Sequence, residues 1–190
     1  MSVQYTPVLW NWNKLVYDAV LLIAVALYLY VFIRYARAFE DVTKPIDGAT
    51  LRMRAFGSCA FLMLTVILCI GPLARLDRRF LPLLYNRRHL GVMTAGIAAV
   101  HANYVLGWYF NFSPTDKYVA LLSSNTSYGQ ILGFPFEALG IGALLILFVL
   151  AATSHDFWVS FLGAPLWKAL HMAIYIAYAF VVLHVAMGAL

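Results

Sequence analysis

The chain has 190 residues, of which 64% are hydrophobic and 11% are charged, and its mean hydropathy is +0.82. A soluble domain averages about 45–50% apolar residues, so this composition excludes a single soluble domain, a disordered chain and, with only two cysteines, a disulfide scaffold. The net charge of +5 comes from cations in short loops between apolar segments, which is typical of membrane proteins, so we predict an integral membrane protein that does not bind nucleic acid.

Five apolar segments follow one another along the chain: residues 15–37, 55–75, 90–112, 131–153 and 166–190. Each is long enough to cross a bilayer core about 30 Å thick, which takes about 20 residues of helix. Their hydrophobicity is continuous rather than alternating, which favours helices over barrel strands. The predicted fold is an all-α polytopic transmembrane helical bundle of five spans that forms a single domain over residues 1–190.

Local signals predict where these helices are interrupted. Gly71-Pro72 is expected to close the second span, and Pro135 is expected in the first turn of the fourth. A short surface helix is predicted around residues 117–122. The cations do not decide the orientation, because the side that holds the N-terminus has seven Lys and Arg residues and the other side has six, whereas the positive-inside rule needs a clear asymmetry.

Histidines dominate the ionisable residues within the spans, where such groups are costly and usually functional. His89 and His101 are 12 residues apart on span three, and His171 and His184 are 13 apart on span five. Both helices enter from the same side, because two crossings lie between them. The histidines can therefore pair at two levels about 18–20 Å apart at 1.5 Å per residue: His89 with His171 and, at the deeper level, His101 with His184.

Two imidazoles on facing helices suit a haem iron that is held on both faces, whereas zinc takes about four ligands at one point. No CxxCH attachment motif occurs, so the predicted cofactor is one or two b-type haems. The predicted iron ligands are His101, His184, His171 and His89. His89 has two alternative roles, because a histidine at the membrane interface would also suit contact with a haem propionate or with water.

Small residues and two arginines also favour a haem between spans three and five. The small residues on the two helices leave a slot for a flat macrocycle, although they also let membrane helices approach each other. They are Gly91, Ala95, Gly96, Ala98, Ala99 and Ala102 on span three, and Ala169, Ala173, Ala177 and Ala179 on span five. Arg87 and Arg88 are predicted propionate contacts, because paired arginines suit carboxylates. The alternative is a solvated loop that sets the topology.

Two segments of the chain resemble the ferric-reductase-like transmembrane domain superfamily. That superfamily includes the haem-binding membrane subunit of the bacterial methionine sulfoxide reductase system, metalloreductases and the NADPH oxidases. The first segment is Arg87-Arg88-His89-Leu90-Gly91, followed by nine residues and His101. The second contains, in order, Ser154, Trp158, Leu162-Gly163, Trp167, Leu170-His171, Tyr175 and His184. The resemblance extends over residues 55–190.

The resemblance implies a helical bundle whose one or two b-type haems move single electrons across or into the membrane. It places His101, His171 and His184 at the family's ligand positions, whereas His89 is predicted from its spacing alone. It also implies that the connection between spans two and three is cytoplasmic. The family usually has six spans, so a sixth is expected to be missing here. No GxGxxG motif follows a strand, so the expected electron donor is another polypeptide, a quinol or a further region of the chain.

The predicted function is that of an electron-transfer subunit in a larger complex of the bacterial inner membrane, rather than a complete enzyme. A redox protein or a quinone is its expected donor or acceptor. Three alternatives stay open: a structural accessory subunit of a respiratory or photosynthetic complex without a redox role, a quinone-reducing enzyme in which Glu137 delivers protons, and a pigment-binding protein with histidine on chlorophyll magnesium.

Overall fold

The computed structural model describes residues 12–36 and 46–188. It is 85% helical, and no strand occurs among the described residues, which confirms the all-α prediction. Eight α-helices follow one another in these residues: α1 (Trp12–Tyr35), α2 (Gly48–Leu76), α3 (Leu81–Phe112), α4 (Lys117–Ser123), α5 (Phe136–Ala152), α6 (Asp156–Leu162), α7 (Ala164–His171) and α8 (Ile174–Gly188). A single 3₁₀ turn, Arg78–Phe80, precedes α3.

The membrane-spanning helices agree with the predicted bundle. Four stretches are long and apolar enough to cross a membrane: α1, α2, the 3₁₀ turn with α3, and α7 with α8. Helix α5 has 17 residues, about 25 Å at 1.5 Å per residue, and α6 turns away from it by 89° after a short break. If α5 and α6 form one bent span, the described residues contain five spans.

The helix ends differ from the predicted ends in the second and third spans. Helix α2 begins seven residues before position 55, because the Asp47 side chain accepts hydrogen bonds from the backbone N–H groups of Ala49 and Thr50. Hydrogen bonds from the Thr50 hydroxyl and backbone lower the pKa of the exposed Asp47 carboxyl. Helix α3 begins nine residues before position 90, so that the predicted basic loop next to His89 is part of the helix.

Two predictions about prolines were wrong. Pro72 lies inside α2, which continues to Leu76 and ends where Asp77 becomes extended (φ −140°, ψ 126°). A proline this close to the end removes a single backbone hydrogen bond, and one lost bond does not terminate a long apolar helix. Pro135 immediately precedes α5 rather than lying in its first turn. Helix α4 confirms the predicted surface helix.

The core of the bundle is a layer in which four helices meet, hereafter the four-helix layer. Leu64 of α2, Ala95 of α3, Leu147 of α5 and Ala177 of α8 form one buried cluster. Ala95 is 3% exposed and Ala177 is fully buried. At these two positions the small residues let the helices approach closely instead of leaving a slot.

Helix α1 packs on the outside of this bundle. None of its residues is buried, and it contacts a second cluster formed by Cys59, Met63 and Ile70 of α2 with Leu90 of α3. The hydroxyl of Tyr28 on α1 donates a hydrogen bond to Ser58 Oγ at 2.9 Å. The helices that carry the candidate site are therefore α2, α3, α5 and α8.

We expect Leu64→Ala to lower the stability of the bundle by about 2–5 kcal/mol, because truncation of a buried leucine leaves a cavity. Leu64 is 1% exposed, whereas Leu62, two residues earlier, is 47% exposed and makes Leu62→Ala the matched control. Thermal unfolding in detergent, followed by tryptophan fluorescence, measures both. Equal losses of stability in the two variants would contradict the four-helix layer as the core.

Candidate functional site

Two of the four predicted histidines lie side by side between α3 and α8. The ring centroids of His101 and His184 are 6.4 Å apart, and the ring planes are at 79° to each other. The two residues are 83 positions apart in the chain, so tertiary packing of the two spans creates this pair.

Each imidazole is hydrogen-bonded to a backbone carbonyl of another helix, α2 for His101 and α5 for His184. Nδ1 of His101 lies 2.9 Å from the carbonyl oxygen of Met53 on α2, and Nδ1 of His184 lies 2.8 Å from that of Phe136 on α5. A carbonyl oxygen only accepts, so Nδ1 of each ring carries the proton and donates it. In the neutral imidazole Nε2 then keeps its lone pair, which is the form in which histidine binds a metal.

A glycine makes each of these hydrogen bonds possible. Gly57 and Gly140 lie four residues after Met53 and Phe136, so in the helix their N–H groups bond to the same two carbonyls. Helical side chains lean toward the N-terminus, over the carbonyl that the imidazole reaches. A Cβ on Gly57 would lie 2.9 Å from the His101 ring, and one on Gly140 would lie 2.8 Å from the His184 ring.

The spacing of the pair fits one shared metal ion with a planar macrocycle around it. An imidazole nitrogen binds a metal at about 2 Å, so the centroids of two rings on one ion are about 6 Å apart. In the described part of the chain no three His, Cys, Asp or Glu side chains are grouped for metal binding. Two imidazoles of this kind would suit a haem iron, whereas a structural zinc takes four ligands.

The pair lies toward one end of the bundle. Phe136 is the first residue of α5, and Met53 is in the second turn of α2. The four-helix layer lies between the two predicted histidine levels, since Ala95 is six residues from each histidine of α3, and Ala177 is six and seven residues from His171 and His184. Each level is about 9–10 Å from this layer along the helix.

His171 lies at the other level, at the end of α7. Its ring stacks on Trp167, with the centroids 3.9 Å apart, and its Nδ1 donates to the Trp167 carbonyl at 3.1 Å. Its Nε2 is buried and has no hydrogen-bond partner among the described residues. A buried imidazole nitrogen with a lone pair would suit a metal ligand.

Arg88 contacts two neighbours of His171. Its guanidinium lies 4.7 Å from the centroid of the Trp167 ring, and Nη1 lies 2.5 Å from Asp156 Oδ1. The Trp167 indole also donates to the Thr153 carbonyl at 2.8 Å, which ties α7 to the end of α5. Arg87, by contrast, is exposed.

His89 faces a different neighbour from His101. Its Nδ1 lies 3.0 Å from Asp18 Oδ1 on α1. Twelve residues of α-helix turn the side chain by about 120°, so one face of α3 points His101 at α2 and another points His89 at α1. A carboxylate behind an imidazole also orients metal ligands, and the role of His89 as a ligand stays a prediction.

Sequence reasoning missed the groups that support these histidines. Nothing local marks Gly57 or Gly140, since glycine is common in membrane helices. The stacking of Trp167 on His171 was predictable from the sequence, because residues four apart on a helix are neighbours. The contact between His89 and Asp18 depends on how α1 packs, which no spacing predicts.

Comparisons with known proteins give one family model and several relatives. A family model described as ferric reductase like transmembrane component matches residues 55–182. The chain is 30% identical over 140 residues to a protein-methionine-sulfoxide reductase heme-binding subunit of Herminiimonas arsenicoxydans, which is 74% of this chain and 58% of that protein. A protein of the same description from Caulobacter vibrioides is 30% identical over 142 residues, 73% of this chain and 60% of that protein.

A third relative has a different name and a much longer chain. Magnetosome protein MamZ of Magnetospirillum gryphiswaldense is 30% identical over 138 residues, which is 72% of this chain but 19% of that protein. The chain therefore spans less than two thirds of the length of these curated relatives. No solved structure matches it significantly.

We expect Gly140→Ala and Gly57→Ala to weaken haem retention about 10-fold or more, the usual effect of disturbing a group that orients a metal ligand. Each added Cβ displaces an imidazole from its carbonyl. Gly71→Ala on α2 is the matched control, because a Cβ there meets nothing within 4 Å. Haem retained per polypeptide after detergent washing measures the effect, and wild-type retention in both variants would contradict the glycine-supported site.

Proposed function

This chain belongs to the family of ferric reductase like transmembrane components, and we propose that it is a haem-binding subunit that passes single electrons within the membrane. It is a multi-pass protein of the bacterial inner membrane. The pairing of the His101 and His184 rings at 6.4 Å is the observation that carries the proposal. The names of the two heme-binding relatives support it.

Each part of the site has a role in this function. A b-type haem supplies one-electron chemistry, as its iron alternates between the ferric and ferrous forms. His101 and His184 would hold it through Nε2, and the carbonyls of Met53 and Phe136 keep both rings in the tautomer that can bind. The same hydrogen bonds raise the basicity of the ligands and fix the ring planes.

His171 is proposed as a ligand of a second haem at the other level. Its buried Nε2 without a hydrogen-bond partner supports this assignment, as does the stacking of its ring on Trp167. Arg87 is proposed as a contact for a propionate, because it is exposed close to this level. Arg88 would have to give up its ion pair with Asp156 to do the same.

The electron partner is proposed to lie at the cationic end of the bundle. Exposed arginines cluster at the junction of α2 and α3: Arg75, Arg78, Arg79 and Arg87. Such a surface attracts an anionic redox protein and speeds its association. It is proposed to act with such a partner or with a quinone, because the two heme-binding relatives are named as subunits.

We expect His101→Ala and His184→Ala each to remove the same low-spin b haem, because each variant deletes one of its two axial ligands. The double variant should lose no more haem than either single variant. His155→Ala is the control, since His155 is exposed and caps α6. Optical spectra and the pyridine haemochrome assay report the type and the amount.

Three results would count against this assignment. Loss of different haems from the two single variants would refute the pairing. Detection of c haem or chlorophyll would refute the cofactor. A purified protein that contains no iron would favour the structural accessory subunit instead.

The iron content tests the second haem. We expect a ratio near two irons per polypeptide in the wild type, falling to one in His171→Ala, because that variant removes one ligand of the proposed second site. The His101–His184 spectrum should persist in the variant. A ratio of one that His171→Ala leaves unchanged would make His171 an ordinary buried histidine.

A further inference from the structure

Glu137 is a buried carboxyl in the first turn of α5 and is 7% exposed. Its Oε1 accepts a hydrogen bond from Asn125 Nδ2 at 2.6 Å. The hydroxyls of Tyr109 and Ser124 each lie 3.1 Å from the same oxygen and 3.0 Å from each other. Its other oxygen, Oε2, is buried without a hydrogen-bond partner in the described part of the chain.

The two oxygens of this carboxyl therefore differ, because Oε1 has donors and Oε2 has none among the described residues. An ionised oxygen that is enclosed without a donor is costly. A proton on Oε2 would neutralise the group, while Oε1 keeps its donors in either state. Ser124 is exposed and hydrogen-bonded to Glu137, so a single hydroxyl connects the carboxyl to the outside of the bundle.

Glu137 is also next to the His101–His184 site. The preceding residue, Phe136, accepts the hydrogen bond of His184 through its carbonyl, and its ring centroid lies 5.4 Å from that of His184. Tyr109 is eight residues after His101 on α3. An electron that arrives at this site therefore adds negative charge close to a carboxylate in a low-dielectric environment, where charges interact strongly.

Three helices pack against α5: α3, α4 and α8. Toward the His101–His184 end of the bundle these elements carry the following titratable groups: His101, Tyr104 and Tyr109 of α3, Asp116 and Lys117 at the start of α4, and His184 of α8. Among the described residues, Tyr109 is the titratable side chain that shares the hydrogen-bond cluster. Asp116 is exposed, and its carboxyl accepts from the backbone N–H of Tyr118.

We propose that Glu137 takes up one proton when one electron enters the His101–His184 site. The electron, supplied by the proposed redox protein or by a quinol, would reduce ferric iron to ferrous iron. The proton comes from bulk water and converts the Glu137 carboxylate to the carboxylic acid, and oxidation of the iron returns the proton to water. The inference rests on the proposed haem at this site and adds proton coupling to it.

The pH dependence of the midpoint potential tests the coupling. We expect the potential of the purified wild-type protein, titrated with dithionite and redox mediators, to fall as the pH rises. One proton per electron gives a slope that approaches about 59 mV per pH unit, because that is a tenfold change for a one-electron couple. Glu137→Gln should flatten the slope, and Asp116→Asn, the matched exposed carboxyl, should leave it unchanged.

Infrared difference spectroscopy gives a second readout. We expect reduction of the wild type to produce a carboxylic acid C=O band that is lost in Glu137→Gln and shifted in Glu137→Asp. If Glu137→Gln does not bind haem, the carboxylic acid band of the wild type and its shift in Glu137→Asp test the proton coupling instead.

A midpoint potential of the wild type that does not change with pH would overturn the inference while leaving the haem site intact. So would a Glu137→Gln variant that keeps both the pH slope of the potential and the carboxylic acid band of the wild type. An unshifted band in Glu137→Asp would also overturn it. A wild-type protein without haem would overturn the proposed function itself and the inference with it.

Discussion

The two hydrogen bonds from imidazole Nδ1 to a helix carbonyl are the interactions on which the site depends. A carbonyl inside a helix has a second lone pair, but the side chain four residues later normally covers it. Gly57 and Gly140 uncover the carbonyls of Met53 and Phe136, and the imidazoles take the space that a Cβ would fill. The same device occurs twice, once between α2 and α3 and once between α5 and α8. In a bilayer, where no water competes for these groups, it leaves the Nε2 lone pair of each imidazole available to a metal.

The four-helix layer separates the two ends of the bundle. The helices approach closely at Ala95 and Ala177, so the layer is packed with side chains and has no room for a macrocycle. The small residues predicted to line one continuous slot therefore have different roles along the helix. Close packing at the middle also fixes how far α3 and α8 can separate at either end, which sets the spacing of the His101–His184 pair.

The two ends of the bundle differ in their polar chemistry. At the His171 level, Arg88 bridges Trp167 and Asp156, and exposed arginines surround the junction of α2 and α3. At the end of the His101–His184 pair, the buried Glu137 accepts hydrogen bonds from neutral donors. The proposed docking site of the electron partner and the carboxyl proposed to take up a proton thus lie at opposite ends of the bundle. That arrangement suits a subunit in which electrons enter at one end and protons exchange at the other.

Much of the architecture was predictable because hydropathy and length are properties of the local sequence. Long apolar segments must be helices in a bilayer, and two spans separated by two crossings run in the same direction, so the pairing of His101 with His184 followed from spacing. The continuation of α2 through Pro72, the 89° turn after α5 and the glycines behind the imidazoles did not follow. The rotation of each helix about its axis and the choice of its neighbours are set by packing between segments distant in the chain. Spacing along α3 placed His89 at a level, but only the packing of α1 decided that its imidazole meets Asp18.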